Sequence, residues 1–220
     1  MPIPAGLALE RLREGNRRFI LERGGREASV DRARRDELAN SQAPFAVILG
    51  CSDSRVPVEI VFDQGLGDLF VIRVAGNIVA PSQVGSVEFA ADRFGTRLVV
   101  VLGHSACGAV LATLEEMGRP SESPNLRSIV HRIRPAIEPL LETELKNDPA
   151  ALAHHAVRAN IRAAANHLRH GSRILEQLIE SEGLVVVGAE YSLETGEVEF
   201  FDGTDGLGLG LGLGREPGGG

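Results

Sequence analysis

The sequence predicts an α/β domain built on a central, mostly parallel β-sheet with helices on its faces. Four runs of apolar, β-branched residues recur along the 220-residue chain, and none of them alternates with polar residues. Such continuous runs are typical of strands that are covered on both faces. Helical stretches separate the runs, and this alternation indicates right-handed strand–helix–strand crossovers. A chain of this length favours one domain of this kind.

The first 42 residues are polar and helical in pattern, and they form a predicted N-terminal arm (residues 1–42). One face of the first helix carries four residues at helical spacing: Leu9, Leu12, Asn16 and Phe19. A second short helix is predicted from Asp31, a favourable N-cap residue, to about Asn40. Because these helices have no strand-rich core of their own, we expect them to pack on a second subunit.

The remaining elements belong to the predicted α/β domain (residues 43–203). The apolar runs that predict strands are residues 45–50, 69–75, 97–103 and 184–192. The helical stretches are residues 82–94, 108–118, a long stretch from about 126 to 169 that prolines interrupt, and 172–183. After the turn-like sequence ETG, residues 198–203 predict an antiparallel edge strand. Residues 204–220 are glycine-rich and of low complexity, which predicts a disordered tail.

Charge and cysteine content narrow the class of protein. A net charge of −7 argues against nucleic acid or an anionic membrane as the main partner. The chain starts without a basic segment followed by an apolar one, and no run approaches the ~18 apolar residues of a membrane helix. We therefore expect a cytoplasmic protein. In a reducing compartment its two cysteines, Cys51 and Cys107, favour metal binding or catalysis over a disulfide.

Three metal-ligating side chains follow two of the predicted strands. Cys51 comes directly after the first strand, and His104 and Cys107 come directly after the third. If these strands are neighbours, the three side chains meet at the carboxyl edge of the sheet, where sites in open α/β sheets form. Two thiolates and one imidazole suit Zn²⁺. Three protein ligands leave a fourth position free, which is typical of a catalytic zinc site.

Other roles for these residues fit the sequence less well. A single cysteine at a strand end is most often a packing residue, but this explanation weakens when two cysteines and a histidine occupy matching strand ends. A tyrosine-phosphatase loop needs a longer spacing than the three residues that separate Cys51 from Arg55, and a dithiol redox pair needs a CxxC motif. His167 and His170, three residues apart, are explained more simply by a solvated helix face than by a second metal site.

The sequence CSDSRVP (51–57), followed some fifty residues later by GHSACGA (103–109), closely resembles the β-class carbonic anhydrases. The resemblance extends from about Leu9 to Asp202 and includes EGNRRF, QAPFAVILGCSDSRVP, GDLFVIRVAGNIV, GSVEFA and SPNLRSIV. It implies a sheet of strand order 2-1-3-4 with a fifth, antiparallel edge strand. It also implies an N-terminal helical arm that embraces a second subunit, in a homodimer or a tetramer built from dimers.

The resemblance assigns roles to the residues of these two motifs. Cys51, His104 and Cys107 would bind zinc. Asp53 and Arg55 match the family's catalytic pair, in which a salt bridge keeps the aspartate off the metal and orients it toward the zinc-bound water. In a closed state Asp53 would instead become the fourth ligand.

The resemblance also implies a substrate pocket. Gln42 matches a glutamine that reaches the substrate across the dimer interface, and Phe70 matches an aromatic wall of the pocket. Phe89 stands where some members have a tyrosine, so it keeps the ring and lacks the hydroxyl. Gly108 would present a backbone N–H to the substrate at a helix start.

One regulated subgroup of the family has a second, inhibitory bicarbonate pocket that uses a tryptophan and an arginine. Ile48 occupies the place of the tryptophan, and Arg73 matches the arginine. We therefore expect no such pocket, and a structural ion pair at Arg73.

The predicted function is the zinc-dependent, reversible hydration of carbon dioxide to bicarbonate and a proton by attack of zinc-bound hydroxide. Two alternatives stay open. The first is a hydrolase of carbonyl sulfide or carbon disulfide from the same family. The second is a catalytically silent, zinc-binding regulatory module. The absence of the Asp–Arg pair would have favoured this module, but both Asp53 and Arg55 are present.

Overall fold

The computed structural model describes residues 3–23, 32–117, 123–205 and 207. Its helices are α1 (Ala5–Ile20), α2 (Arg32–Leu38), α3 (Val58–Val61), α4 (Pro81–Arg93), α5 (Gly108–Glu116), α6 (Pro124–Ile137), α7 (Pro149–His170) and α8 (Arg173–Glu182). Its strands are β1 (Ala46–Gly50), β2 (Leu69–Arg73), β3 (Leu98–His104), β4 (Val185–Tyr191) and β5 (Val198–Asp202). Short 3₁₀ turns cover Ala75–Asn77, Glu138–Glu142 and Glu144–Asn147.

The five strands form one sheet in the order β2-β1-β3-β4-β5. The first four strands pair in parallel, and β5 pairs antiparallel with β4 through a short connection. The predicted α/β fold, its strand order and its antiparallel edge strand are therefore confirmed. Because β1 and β3 are neighbours, their carboxyl ends meet at the same edge of the sheet.

Helices cover both faces of the sheet, and this explains why the strand sequences are apolar at every position. Along β3, Val99 and Val101 point to the face covered by α4, α6, α7 and α8. The intervening Val100 and Leu102 point to the opposite face, covered by α1 and α3. All seven residues of β3 are buried. A strand buried on both sides cannot show the polar alternation of a half-exposed one.

The helix α1 packs against its own chain. Leu9 and Leu12 are fully buried in the core between α1, α3 and the sheet. The side chain of Asn16 donates to the carbonyls of Val61 (3.1 Å) and Gly196 (2.9 Å), and it accepts from the N–H of Val198 (2.9 Å). The apolar face of α1 is thus already covered within one chain. Any contact of the arm with a second subunit falls on other residues, and α2 has no buried residue in this chain.

Prolines and polar caps set the limits of the helices after β3. The long predicted stretch 126–169 is two helices, α6 and α7, joined by the two 3₁₀ turns. Asp148 caps α7 by accepting from the N–H groups of Ala150 and Ala151, and Ser172 caps α8 by accepting from the N–H of Leu175.

Of the predicted tail 204–220, only residues 204, 205 and 207 lie within the described residues. Asp31, the predicted start of the second helix, lies outside them. Among the helices of the described residues, none has both the length and the apolar character that crossing a membrane requires.

Candidate metal centre

The three predicted ligands come together at the carboxyl edge of the sheet. Cys51 directly follows β1, His104 is the last residue of β3, and Cys107 directly precedes α5. The two sulfur atoms and a ring nitrogen of His104 lie within 4.8 Å of one another, and all three residues are buried. Both cysteines are free thiols. In the described part of the chain, this is the one group of at least three side chains that could hold a metal ion. His167 and His170 belong to no second group of this kind there.

The short turn between β3 and α5 places His104 and Cys107 on the same side. Ala106 adopts a left-handed backbone conformation (φ 53°), which reverses the chain between the two ligands. The N–H of Ser105 donates to the carbonyl of Tyr191 (3.0 Å), and the Ser105 hydroxyl accepts from the N–H of Leu193 (3.0 Å). The turn is therefore anchored to the end of β4, so that its shape does not depend on the ligands alone.

The orientation of the His104 ring leaves one nitrogen for a metal. Its Nδ1 lies 2.9 Å from the carbonyl oxygen of Ser105. A carbonyl only accepts, so Nδ1 carries the proton and Nε2 carries a lone pair. This buried Nε2 has no hydrogen-bond partner among the described residues. An orphaned nitrogen beside two thiols is a donor set that fits Zn²⁺, and the carbonyl behind Nδ1 is the usual second partner of a zinc-binding histidine.

The electrostatics of the cluster favour a thiolate. The Cys107 thiol donates a hydrogen bond to Cys51 and, with further help from His104 and the N–H of Gly76, lowers the pKa of Cys51 to about 4. The Gly76 nitrogen lies 3.3 Å from the Cys51 sulfur. The adjacent Cys51 thiolate raises the pKa of Cys107. Burial lowers the pKa of the His104 ring, but the adjacent Cys51 thiolate raises this pKa by more, so the net shift is upward. The cluster therefore holds a buried Cys51 thiolate that can bind a divalent cation.

Asp53 and Arg55 form a bidentate ion pair at the mouth of the cluster. Arg55 Nε donates to Asp53 Oδ1 (2.9 Å) and Nη2 donates to Oδ2 (2.7 Å), while the backbone N–H of Arg55 also reaches Oδ1 (3.0 Å). These bonds hold the pKa of Asp53 well below its usual range. Asp53 Oδ2 lies 3.8 Å from His104 Nε2. The carboxylate is thus ionised and within reach of the cluster.

Arg73 is a further residue of the site that sequence reasoning assigned differently. Its Nε donates to the carbonyl of Cys51 (3.0 Å), and its Nη2 donates to the carbonyl of Asp53 (2.6 Å). Where the sequence predicted an ion pair, the guanidinium binds the main chain of the metal loop. Backbone acceptors have no sequence signature, so no pattern could have shown this contact.

Comparison with known proteins identifies the family. A profile described as "Carbonic anhydrase" matches residues 46–198. "Carbonic anhydrase 2" of Mycobacterium tuberculosis is 36% identical over 197 residues, which cover 89% of this chain and 92% of that protein. The chain belongs to the carbonic anhydrase family. The predicted resemblance to the β class is confirmed, because solved β-class structures share the fold.

Two of these structures illustrate the likeness. The β-carbonic anhydrase CcaA is 27% identical with a TM-score of 0.74, over 89% of this chain and 88% of that one. A chain from the crystal structures of two tetrameric β-carbonic anhydrases of the ascomycete Sordaria macrospora is 25% identical, with a TM-score of 0.68. The match covers 76% of this chain and 84% of that one. The general reaction of the family, carried out by carbonate dehydratases, is the hydration of carbon dioxide.

Two predicted substrate residues of this carbonic anhydrase lie at different distances from its metal cluster. Gly108 begins α5 immediately after Cys107, and a Cβ at this position would meet nothing within 4 Å. The space beside this N-terminal residue is therefore open. Phe70 instead pairs with Val47 in the sheet, four residues before Cys51. At about 3.3 Å per residue, Phe70 lies roughly 13 Å along the strand from the level of the ligands.

The other two predicted substrate residues, Gln42 and Phe89, lie with Phe70 on one surface of the chain. The ring of Phe89 is 53% exposed and contacts Phe70 (centroids 6.2 Å apart) and Phe94 (5.5 Å). Gln42 is exposed and lines a groove of about 550 Å³ together with Phe94 and Leu66. We call Gln42, Phe70, Phe89 and Phe94 the aromatic surface. Within one chain the aromatic surface is separate from the metal cluster.

Proposed function

We propose that this protein catalyses the reversible hydration of carbon dioxide to bicarbonate and a proton, with zinc bound by Cys51, His104 and Cys107. The observation that carries the proposal is the orphaned Nε2 of His104, which is buried beside two thiols. Membership of the carbonic anhydrase family supports the same reaction.

A zinc ion held by these three ligands would lower the pKa of a water molecule in its fourth position toward about 7, a value established for zinc hydrolases and for carbonic anhydrases with three histidine ligands. Two sulfur ligands place more negative charge on the metal than three histidines do. In our proposal Arg55 prevents a further negative charge at the metal, because it holds the Asp53 carboxylate in an ion pair directed away from the metal.

The residues around the fourth position have separate tasks. Asp53 accepts a hydrogen bond from the attacking water and fixes its direction, while Arg55 holds the carboxylate for this purpose. The space beside Gly108, at the start of α5, is open, and in our proposal its N–H donates to an oxygen of the bicarbonate product. If the pair with Arg55 opens, Asp53 can take the fourth position itself, which is the closed state of the site.

The remaining walls of the pocket come, in our proposal, from a second copy of the chain. The aromatic surface supplies apolar rings and the Gln42 amide, which suit a small, apolar and electrophilic substrate. Since it lies apart from the metal cluster in one chain, it can line the substrate pocket only across an interface. A homodimer, or a tetramer built from dimers as the Sordaria macrospora enzymes suggest, satisfies this requirement.

We also propose a cytoplasmic location. Both ligand cysteines are free and within reach of one another, so an oxidising compartment would favour a disulfide at the expense of the metal site.

Stopped-flow measurement of CO₂ hydration with a pH indicator tests the function on the zinc-loaded protein. We expect activity that disappears in Cys51→Ser, together with an X-ray absorption spectrum showing two sulfur ligands at ~2.3 Å and nitrogen at ~2.0–2.1 Å. Parallel assays with carbonyl sulfide and carbon disulfide identify the alternative hydrolase. Zinc binding without turnover of any of the three substrates would point to the silent module and contradict the proposal.

A further inference from the structure

We propose that Arg73 is a positioning residue of the metal centre, because its side chain binds and fixes the main chain of residues 51–53. This inference rests on the zinc site proposed above. It assigns Arg73 no contact with metal or substrate. Its effect passes through the backbone of Cys51, the ligand, and of Asp53.

The ladder between β1 and β2 ends just before the metal loop. The last paired residues are Gly50 and Arg73, and Val74 donates one more hydrogen bond to the Gly50 carbonyl (3.1 Å). The chain then leaves the sheet through the turn Ala75–Asn77, in which Gly76 has a φ of 67°. The carbonyls of residues 51 and 53 therefore lie beyond the last pair of the β1–β2 ladder.

The guanidinium of Arg73 binds the carbonyls of both residues. Nε reaches the Cys51 carbonyl at 3.0 Å and Nη2 reaches the Asp53 carbonyl at 2.6 Å. One planar guanidinium with several N–H donors can bind both carbonyls at once. Arg73 thereby ties the start of the metal loop to the last residue of β2.

The same short segment also holds the Cys51 sulfur. The N–H of Gly76 donates to Cys51 Sγ at 3.3 Å. Cys51 is therefore fixed at two points, its carbonyl by the Arg73 side chain and its sulfur by the turn three residues later. Metal–ligand distances tolerate shifts of only about 0.2 Å. A backbone shift at Cys51 would thus weaken metal binding although every ligand is still present.

Two arginines share the task of holding Asp53. Arg55 binds the carboxylate, and Arg73 binds the backbone carbonyl, which also accepts from the N–H of Val56 (3.0 Å). The geometry of the Asp53–Arg55 pair therefore depends on the backbone that Arg73 fixes. Without Arg73, Asp53 gains freedom to turn from Arg55 to the metal.

The test compares the full-length chain with Arg73→Ala and Arg73→Lys. Arg169→Ala is the matched control, because Arg169 also donates two hydrogen bonds to a strand carbonyl, that of Val186, away from the metal cluster. Zinc affinity is measured by competition with a chromophoric chelator, and metal geometry by the visible absorption of the Co²⁺-substituted proteins.

We expect Arg73→Ala to weaken zinc binding roughly 10- to 100-fold, the usual effect of removing a group that orients a metal ligand. The Co²⁺ spectrum should change as the carboxylate of Asp53 enters the coordination shell, and millimolar guanidinium ion should partly restore affinity. Arg73→Lys should be intermediate, because an ammonium cannot reproduce the planar two-donor geometry. If Arg73→Ala does not fold, Arg73→Lys provides the decisive measurement.

Zinc affinity within about twofold of the wild type in the variant that folds would overturn the inference, since that lies far below the effect expected. So would an equal loss in Arg169→Ala, which would indicate general destabilisation. These readouts do not use CO₂. If Arg73 controls zinc affinity in a protein without CO₂ hydration, the inference stands and the proposed function fails. If the wild-type chain binds neither zinc nor Co²⁺, both fail.

Discussion

The carboxylate of Asp53 binds Arg55 through two hydrogen bonds, yet one of the same oxygens lies 3.8 Å from Nε2 of His104. A small rotation would move the aspartate from its ion pair to the metal position. We therefore expect the Arg55 guanidinium to decide which of two groups, water or carboxylate, can occupy the proposed fourth position of the site.

Replacing Arg55 with alanine tests this relationship. We expect Arg55→Ala to retain one zinc per chain, because the three ligands are intact, and to lose CO₂ hydration by about 100-fold or more. Zinc content by atomic absorption and stopped-flow rates provide the measurement. Arg134→Ala, which removes a similar surface ion pair with Glu138 (2.8 Å), is the control and should keep full activity. Near wild-type rates in Arg55→Ala at pH 7 would refute the role of the pair.

The Gly76 turn can be tested against a second glycine of similar conformation. Gly76 (φ 67°) and Gly183 (φ 70°) both adopt the left-handed conformation. A Cβ at Gly183 would meet nothing within 4 Å, whereas at Gly76 it would lie 2.8 Å from Ile133 Cδ1 and 3.0 Å from the Cβ of Ala109. Gly183→Ala should lose about 1–2 kcal/mol of unfolding free energy, from the backbone alone.

We expect Gly76→Ala to lose a further ~1–3 kcal/mol, because the added methyl overpacks the core. Urea unfolding of the zinc-loaded variants measures both losses. Gly76→Ala should also weaken zinc binding, since its N–H contacts the Cys51 sulfur. Equal losses of stability in the two variants would show that the turn has room to adjust and that this packing argument is wrong.

Mixing two inactive chains tests whether Gln42 acts across an interface. In a mixed dimer of Gln42→Ala and Arg55→Ala chains, one site combines both substitutions and the other combines none. If Gln42 serves the partner's site, random pairing of equal amounts should restore about a quarter of wild-type activity, given two-fold symmetry. Co-expression with two affinity tags allows the mixed dimer to be isolated and assayed. No activity in the isolated mixed dimer would place Gln42 in its own chain's site, and an active Gln42→Ala homodimer would place it outside both sites.

The buried carboxylate of Glu190 makes stability depend on pH. Burial on β4 raises the pKa of Glu190, and the negative charge of Glu199 raises it further. The positive charges of His154 and Arg158, each 3.7 Å away, lower this pKa, and His104 lowers it more weakly. The net shift is upward. A carboxyl group whose pKa is raised on folding binds more protons in the folded state. Its contribution to stability therefore falls as the pH rises from the ordinary Glu pKa of about 4.3 through the raised value.

We expect Glu190→Gln to unfold at a higher urea concentration than the wild type at pH 8, and the difference to shrink as the pH falls toward about 4, the ordinary pKa of glutamate. Arg158 keeps its bidentate partner Glu199 in this variant, so no new unpaired charge is buried. Urea titrations at four or five pH values provide the measurement. A difference that is constant with pH, or a destabilised variant at pH 8, would contradict this account.

The sequence was sufficient to predict the strands and the cluster of Cys51, His104 and Cys107. Continuous apolar runs located the strands to within about one residue, because a strand buried on both faces leaves an unbroken pattern. The second strand is the exception: residues 69–75 were predicted, and β2 ends at Arg73. The apolar run continues through Val74 and Ala75, so only the following glycine marks the turn.

Interactions with the backbone, and interactions between chains, were beyond the sequence. Arg73 and Ser105 act through carbonyl groups that every residue possesses, so neither contact depends on a recognisable partner. The pattern of Leu9 and Leu12 predicted a buried helix face but did not identify the chain that covers it, and α1 packs on its own sheet. For the same reason, the placement of Gln42 and Phe89 in a pocket stays a prediction.

The three hydrogen bonds of Asn16 have a consequence for the order in which the chain can become structured. Two of its partners, Gly196 and Val198, lie about 180 residues later in the sequence. On the ribosome α1 emerges well before these two anchoring groups, which follow about 180 residues later. Such long-range contacts form late, after a large loop has closed. The helix α1 is thus locked in place only after these later residues have been made.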